Sequence, residues 1–442
     1  MATSKIDNRT EMEMCVHRWR RLAGLAICAA WLAAGLRAQP NPPAPPDAQG
    51  ALTWSQVKEK FEAANPSLRA GQVGIQESKA QEITANLRPN PGVNLLLDQL
   101  DPFTPNPYRP LGNALPAVAF SYLHERERKR ELRLESARQA TGIAESQQTD
   151  LERNLLFSLR TAFVGTLQAK ALLANARETL DTYDRELGIH RERFRAGDIA
   201  QVDLSRLLLQ RVQFATDVEN AQVGLRTAKI SLLMLVNDRT PVDRFDIAGA
   251  FDFDNRVPPL EEIHSAALEA RPDLRAVRQA IVKAQTDHKL AVANGSTDPT
   301  FGVDFGRNPP IPAYVGFSVN IPLRVFDRNQ GEKERTQLDI QRAERQRDVV
   351  EAQVFSDVDS AYVTLLSALN LLRTYKETYL QIAMEVRDTM SFSYRHGQAA
   401  LVDYLGAERD YRAIQVDYIN LVGSYLTAAG QLNLAAGREV IP

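Results

Sequence analysis

Ile321-Pro322-Leu323-Arg324-Val325-Phe326-Asp327-Arg328-Asn329-Gln330-Gly331 joins two kinds of sequence. Before it, Val315, Phe317, Val319 and Ile321 alternate with Gly316, Ser318 and Asn320. A period of two predicts a strand with one apolar and one polar side. After it comes a long, charged segment whose apolar residues recur at helical spacing. A strand that runs through a Pro and a Gly into such a helix marks a boundary between two environments. The reading here is a strand in lipid and a helix in water.

The pattern repeats upstream. Phe301-Gly302-Val303-Asp304-Phe305 alternates in the same way, and Phe120-Ser121-Tyr122 corresponds to Phe317-Ser318-Val319. Ala64-Asn65-Pro66-Ser67-Leu68-Arg69-Ala70 returns as Ala270-Arg271-Pro272-Asp273-Leu274-Arg275-Ala276. Phe194-Arg195-Ala196-Gly197 with Val202-Asp203 returns as Tyr394-Arg395-His396-Gly397 with Val402-Asp403. Three matches in one order, at an offset of about 200 residues, indicate a duplicated unit.

Each unit follows one plan: broken helix, strand, loop, strand, long helix, turn, returning helix. In the first, helix is expected from Leu52 to Leu87 with a break at Pro66. Strands are expected over Val93–Leu97 and Leu115–Tyr122, separated by the Pro-rich segment Asp101–Pro116. Leu95, Leu96 and Leu97 in a row, and Pro116 inside the second strand, make this pair alternate poorly. From Glu125 to about Phe194 no Pro intervenes, so about 70 residues form a rod of roughly 105 Å. A Gly turn follows, then a returning helix from about Val202 to Val236. In the second unit the strands are Phe301–Phe305 and Tyr314–Ile321. Its helices run from about Gly331 to Tyr394 and from about Leu401 to Leu434.

The 442 residues carry a net charge of −2, which gives no reason to expect nucleic acid. Mean hydropathy is −0.31, and past residue 38 no apolar run approaches the roughly 20 residues of a spanning helix. A membrane protein of this composition has to be a β-barrel. Arg18, Arg20 and Arg21 precede the apolar run Leu22–Leu36, with small residues up to Ala38. That order predicts a signal peptide, the alternative being an amphipathic surface helix. The segment holds six basic and three acidic residues, so its loss of +3 leaves −5. Both cysteines, Cys15 and Cys28, go with it, which excludes disulfides and thiol chemistry in the mature chain. Leu25-Ala26-Ile27-Cys28 only faintly resembles a lipidation box. The expected organisation is a signal peptide (1–38), a Pro-rich linker (39–50), a first repeat (51–240), a connector (241–259), a second repeat (260–437) and a tail (438–442).

Four strands of eight to ten residues are long enough to cross a bilayer when tilted. They cannot close a barrel, and an open edge in lipid is forbidden. Three copies would supply twelve strands with room for a channel. Gly302, Asp304, Gly306, Gly316, Ser318 and Asn320 would then line the pore. Phe301, Val303, Phe305, Val315, Phe317 and Val319 would face lipid. The alternatives are a soluble half-buried sheet and ordinary coiled coils.

These features resemble the TolC family of outer-membrane efflux proteins over the whole mature chain. Pro322-Leu323 followed by Phe326-Asp327-Arg328-Asn329-Gln330-Gly331 resembles its cobalt–zinc–cadmium branch, as does the basic segment between Ser121 and Glu131. The resemblance implies a mainly α fold with a membrane β-barrel portion: a homotrimeric barrel of four strands per protomer, continued by an α-helical barrel across the periplasm. It implies a passive duct without active site, cofactor or metal site. The partners it implies are a periplasmic adaptor and an inner-membrane pump of the RND type. The two turns, Arg195–Asp198 with Gly197 and Arg395–Gln398 with Gly397, would dock the adaptor. Tyr394 and Asp403 match an aromatic and an acidic position of the family's periplasmic gate. Ala399 and Gly406 depart from it, and Asp198, Asp203 and Arg206 are candidate partners. An acid ring at Asp403 would favour cations; otherwise Asp403 is a helix-start acid on the helix dipole.

Other chemistry is missing from the pattern. His124, His190, His264, His288 and His396 are scattered without ligand spacing, and each reads as a surface residue. The run Arg126–Arg130 reads most simply as a solvated helix start near the membrane surface, with lipid-headgroup contact as the alternative. Two other functions fit the pattern: a periplasmic coiled-coil adaptor with a soluble β-domain, and the exit duct of a type I secretion system.

Overall fold

A computed structural model describes residues 50–441, apart from 101, 102, 104–106, 108–110, 112 and 255. The expected signal peptide, and the expected linker up to residue 49, lie outside the described residues. The chain forms α1 (Trp54–Ala64), α2 (Pro66–Asn86), β1 (Gly92–Asp98), β2 (Leu115–Leu123), α3 (Lys129–Arg195) and α4 (Gln201–Val236). The same order then recurs: α5 (Leu260–Ala270), α6 (Pro272–Asn294), β3 (Thr300–Asn308), β4 (Ile311–Asn320), α7 (Gln330–Thr374), α8 (Leu380–Arg395) and α9 (Leu401–Ala436). A single π-helical turn, Tyr375–Tyr379, separates α7 from α8. The 67 residues of α3 make a helix of roughly 100 Å.

Prolines set the corners. Pro66 and Pro272 sit at the first position of α2 and α6, where a missing N–H costs nothing. Asn65 caps α2: its side-chain oxygen accepts from Ser67 N–H (2.9 Å) and Leu68 N–H (3.2 Å). Its amide also donates to the Leu235 carbonyl, tying this corner to the end of α4. Arg271 takes that place in the second half. It pairs with Asp273 (2.6 Å) and Asp357 (2.8 Å), and reaches the Ala435 carbonyl at the end of α9. One geometrical need, joining the corner to the returning helix, is met by an amide in one half and a guanidinium in the other. Asn65→Ala removes the cap and strands the half-buried Leu235 carbonyl, so a loss of about 1–2 kcal/mol is expected in chemical denaturation.

The apolar stripes close separate cores. Val57 and Phe61 of α1 pack on Leu159 and Phe163 of α3 and on Leu232 and Val236 of α4. Ile263 of α5 packs with Val354, Val358 and Leu365 of α7 and Tyr425 and Leu432 of α9. A third cluster lies near the turns, around Tyr183, Leu187, Leu207, Phe214, Tyr394, Leu401 and Tyr404.

The strands form one antiparallel sheet in the order β1-β2-β3-β4. Its central pair, β2 with β3, joins the two halves of the chain. Both long helices leave from the end of the sheet where β2 and β4 finish. Before each, the backbone turns through left-handed residues, Arg128 (φ 55°) and Asn329 (φ 60°). The basic run is therefore not simply a solvated helix start. α3 begins at Lys129, whose side chain is buried and bonded to Asp298 at 2.6 Å. That ion pair pins the start of α3 to the loop that enters β3.

Candidate functional site: an uncovered sheet and a helical tip

No residue of the four strands is buried. Among the described residues no helix covers either face, and β1 and β4 leave free edges. The register sorts the side chains. Phe301 lies opposite Val319, Val303 opposite Phe317 and Phe305 opposite Val315. Across the central pair, Tyr122 lies opposite Phe301, Phe120 opposite Val303 and Val118 opposite Phe305. Val93 and Leu95 then face Phe120 and Val118. One face is thus apolar over all four strands. The other carries Asn94, Ala117, Ala119, Ser121, Gly302, Asp304, Gly306, Gly316, Ser318 and Asn320, with Leu96 and Tyr314 as larger members and Leu115 and Leu123 at the ends of β2.

The apolar face is exposed: Phe317 is 82% accessible and Leu95 74%. A contiguous apolar sheet face with two unpaired edges is not a state that water tolerates. A non-aqueous or protein cover is required.

The helical tip is built from two matching turns. Gly197 (φ 83°) and Gly397 (φ 73°) occupy the left-handed region, which favours glycine. After them, Asp198 N–H donates to the Arg193 carbonyl (2.9 Å) and Gln398 N–H to the Ser393 carbonyl (2.8 Å). Arg195 pairs with Glu192 at 2.7 Å, and Arg395 donates to Ser391 Oγ. Both turns are exposed.

Of the acidic and aromatic candidates, the structure takes Tyr394 inside. Its ring stacks on Tyr404 (5.4 Å between centroids), lies 5.4 Å from His190 and has the Arg193 guanidinium 5.7 Å above it. Burial pushes its hydroxyl pKa up; Arg193 works against this and Asp203 adds to it. Asp203 lies 3.9 Å from Arg206. Asp198 and Asp403 are exposed and are not drawn into this cluster.

His190 corrects the surface reading given to every histidine: it is 5% accessible. His264 and His288 are half-buried, bonded to Asp359 and Thr336. Other tip residues were not anticipated. The Tyr404 hydroxyl donates to Glu186, and Glu408 lies in the same seam. Tyr183 donates to the Leu207 carbonyl, and Arg412 bonds Asp217 at 3.1 Å, linking α9 to α4. A signal existed, since Leu401, Tyr404, Glu408 and Tyr411 follow three-and-four spacing, which puts an acid on a core stripe.

Two groups in this seam titrate in opposite senses. Burial, then Arg193, lowers the His190 pKa, with Glu186 opposing. Stability from neutral His190 is full above the ordinary histidine value, about 6.5, and is lost as pH falls below it. Burial, then Glu186, raises the Glu408 pKa, so its contribution is lost as pH rises through that raised value. Amide exchange at the tip should therefore respond to each replacement in its own direction. His190→Phe should remove the acid-side loss, which is at most about tenfold per pH unit for one proton. Glu408→Gln should slow exchange at neutral pH. Equal profiles in both variants would contradict the assignment.

Among the described residues no cluster of three or more His, Cys, Asp or Glu is placed to hold a metal, and no helix is long and apolar enough to cross a membrane.

Comparison with known proteins follows the same lines. Residues 263–438 match the outer membrane efflux protein family. Over 406 residues the chain is 22% identical to the cobalt-zinc-cadmium resistance protein CzcC of Cupriavidus metallidurans, covering 89% of this chain and 92% of that protein. Its fold is similar to a crystal structure of CusC (TM-score 0.73, 17% identity, 87% of this chain and 92% of that one). It is also similar to the open state of the Neisseria gonorrhoeae MtrE outer membrane channel (TM-score 0.70, 16% identity, 92% and 96%).

Proposed function

We propose that this chain, a member of the outer membrane efflux protein family, is the outer-membrane exit duct of a tripartite efflux system. It sits in the outer membrane with a periplasmic extension. The observation that carries the reading is the uncovered sheet: one apolar face continuous over four strands, one small and polar face, and two free edges. Closing those edges between copies satisfies every backbone group in lipid. Three copies give twelve strands, an even number with room for a lumen. Asp304, Ser318 and Asn320 then line the pore, and Phe301, Val303, Phe305, Val315, Phe317 and Val319 face lipid. A soluble adaptor would need one face of the sheet covered, and among the described residues none is.

The duct is passive and does no chemistry. Residues 1–38 serve as its signal peptide, and the halves 51–240 and 260–437 arose by duplication. Gly197 and Gly397 form the periplasmic turns, with Arg195 and Arg395 beside them, on which an adaptor docks. Asp403, Asp198, Asp203 and Arg206 narrow the closed end, and Tyr394, packed on Tyr404 inside the tip, supports them from behind. A pump of the RND type in the inner membrane drives transport. The cargo is small solutes or metal ions, with CzcC as the relative that points to divalent cations.

The test is a deletion in the native host, scored for survival on graded cobalt, zinc, cadmium and a panel of small toxic organic compounds. Sensitivity restored by the wild-type chain supports the reading. Unchanged sensitivity to all of them, with an intact outer membrane, contradicts it.

A further inference from the structure

Below β4, which ends at Asn320, the alternation continues in the sequence. Val315, Phe317, Val319 and Ile321 lead into Leu323, and then Val325 and Phe326. Leu323 is 83% accessible and Phe326 92%. The segment that presents them is held in place. Asn329 N–H donates to Asp327 (2.8 Å), and Asn329 Nδ2 donates to the Ala291 carbonyl of α6 (2.7 Å). Gln330 accepts from Arg328 N–H and donates to the Phe326 carbonyl. A fixed loop showing large apolar side chains is a surface that awaits a cover.

Three arginines stand at the same end of the sheet. Arg128 and Arg324 lie near the Lys129–Asp298 pair, the first beside Lys129 in sequence and the second within electrostatic reach of Asp298. The Arg328 carbonyl lies near Gly295, on the loop leading to Asp298. Around them cations are mostly neutralised: Lys129 by Asp298, Arg130 by Glu131 and Arg133 by Glu125. Arg128, Arg324 and Arg328 have no carboxylate at ion-pair distance among the described residues. The Arg324 Nε is buried without a hydrogen-bond partner.

We propose that Leu323, Val325 and Phe326, with Arg128, Arg324 and Arg328, form a contact site for anionic phospholipid of the periplasmic leaflet. The inference rests on the duct reading, which places the apolar face of β4 in the bilayer. Two arguments select phospholipid as the occupant. The patch follows the lipid-facing row of β4 directly in sequence, past the strand's end at Asn320 and a tight turn in which Val325 N–H donates to the Leu323 carbonyl (3.1 Å), so it meets the leaflet's lower edge. Arg324 and Arg328 are interleaved with the apolar residues in sequence and Arg128 stands at the same end of the sheet, a composition that puts stems and rings in acyl chains and charge on phosphate. The site would fix the depth of the duct in the membrane at the point where sheet becomes helix.

The experiment uses the full-length assembly purified in detergent. Retained lipid is counted by native mass spectrometry after titration with phosphatidylglycerol or with zwitterionic phosphatidylcholine. The wild type should prefer phosphatidylglycerol, and salt should weaken the preference. Each arginine near the surface changes affinity about fivefold. Arg128→Gln/Arg324→Gln/Arg328→Gln should therefore bind phosphatidylglycerol on the order of a hundredfold more weakly, with assembly unchanged. Leu323→Ser/Phe326→Ser should weaken both lipids. Unaltered phosphatidylglycerol binding in the triple variant would overturn the proposal. So would dissociation of the Leu323→Ser/Phe326→Ser protein in lipid-free detergent, because the cover would then be a neighbouring copy. Conductance of the wild type is recorded separately, so a failed duct and a failed lipid site give different results.

Discussion

Phe317→Arg is expected to keep the chain out of the outer membrane. Phe317 lies mid-strand on the apolar face of β4, opposite Val303, and is 82% accessible in the isolated chain. An arginine there costs about 2–4 kcal/mol near the bilayer midplane. In a closed assembly the cost recurs in every copy, which exceeds what a marginally stable membrane fold can absorb. Ser318→Arg, one residue on, tests the face rather than the strand. Its side chain lies on the polar side, opposite Gly302, so insertion should persist and only ion preference should change. Membrane fractionation after pulse labelling reads both variants. Equal insertion of both would mean that the apolar face does not meet lipid.

Arg271→Ala should produce the second large effect, far from the membrane. The guanidinium is 5% accessible and joins Asp273, Asp357 and the Ala435 carbonyl. Burial opposes ionisation of Asp273, but Arg271 outweighs it and holds the carboxyl below its ordinary range. Removing Arg271 takes the shared cation from two carboxylates, leaving Asp357 with Gln353 and Asp273 with the Leu274 N–H and Arg153. Breaking a buried pair costs about 3–5 kcal/mol. The carboxylates here keep 27% and 32% of their side-chain exposure, which places the expected loss near 3 kcal/mol. Arg271→Lys should recover only part of it, since an ammonium cannot fork between two acids. Thermal dissociation of the assembled protein measures both. A full recovery with lysine would show that charge alone matters at this corner.

How much of this could be read from the sequence depends on the range of the interaction. The corners at Pro66 and Pro272, the Gly turns at 197 and 397, and the uninterrupted long helices are local, and their residues state them. The face of β3 and β4 was also local, because alternation over Phe301–Phe305 and Val315–Val319 needs no partner strand. β1 and β2 were obscure for a physical reason. Leu95, Leu96 and Leu97 give no period, and only pairing with Val118, Ala117 and Pro116 shows that Leu96 lies on the polar side. The tip was least legible. Leu180, Tyr183, Leu187 and His190 follow three-and-four spacing, which puts His190 on a core stripe, but what covers that stripe, and what half-buries Glu186 and Glu408, is packing between residues about 200 apart, which no local spacing states. Lys129 was hidden likewise, since its acid, Asp298, is 169 residues away.

The central claim is that this sheet closes with copies of itself around a conducting lumen in the outer membrane. The most direct measurement is single-channel recording in a planar bilayer, using protein extracted from outer membranes and sized unheated beforehand. A heat-labile trimer that inserts and passes ions is the predicted result. A soluble periplasmic monomer or dimer that leaves the bilayer silent would contradict it, and the sheet's apolar face would then belong to some other protein.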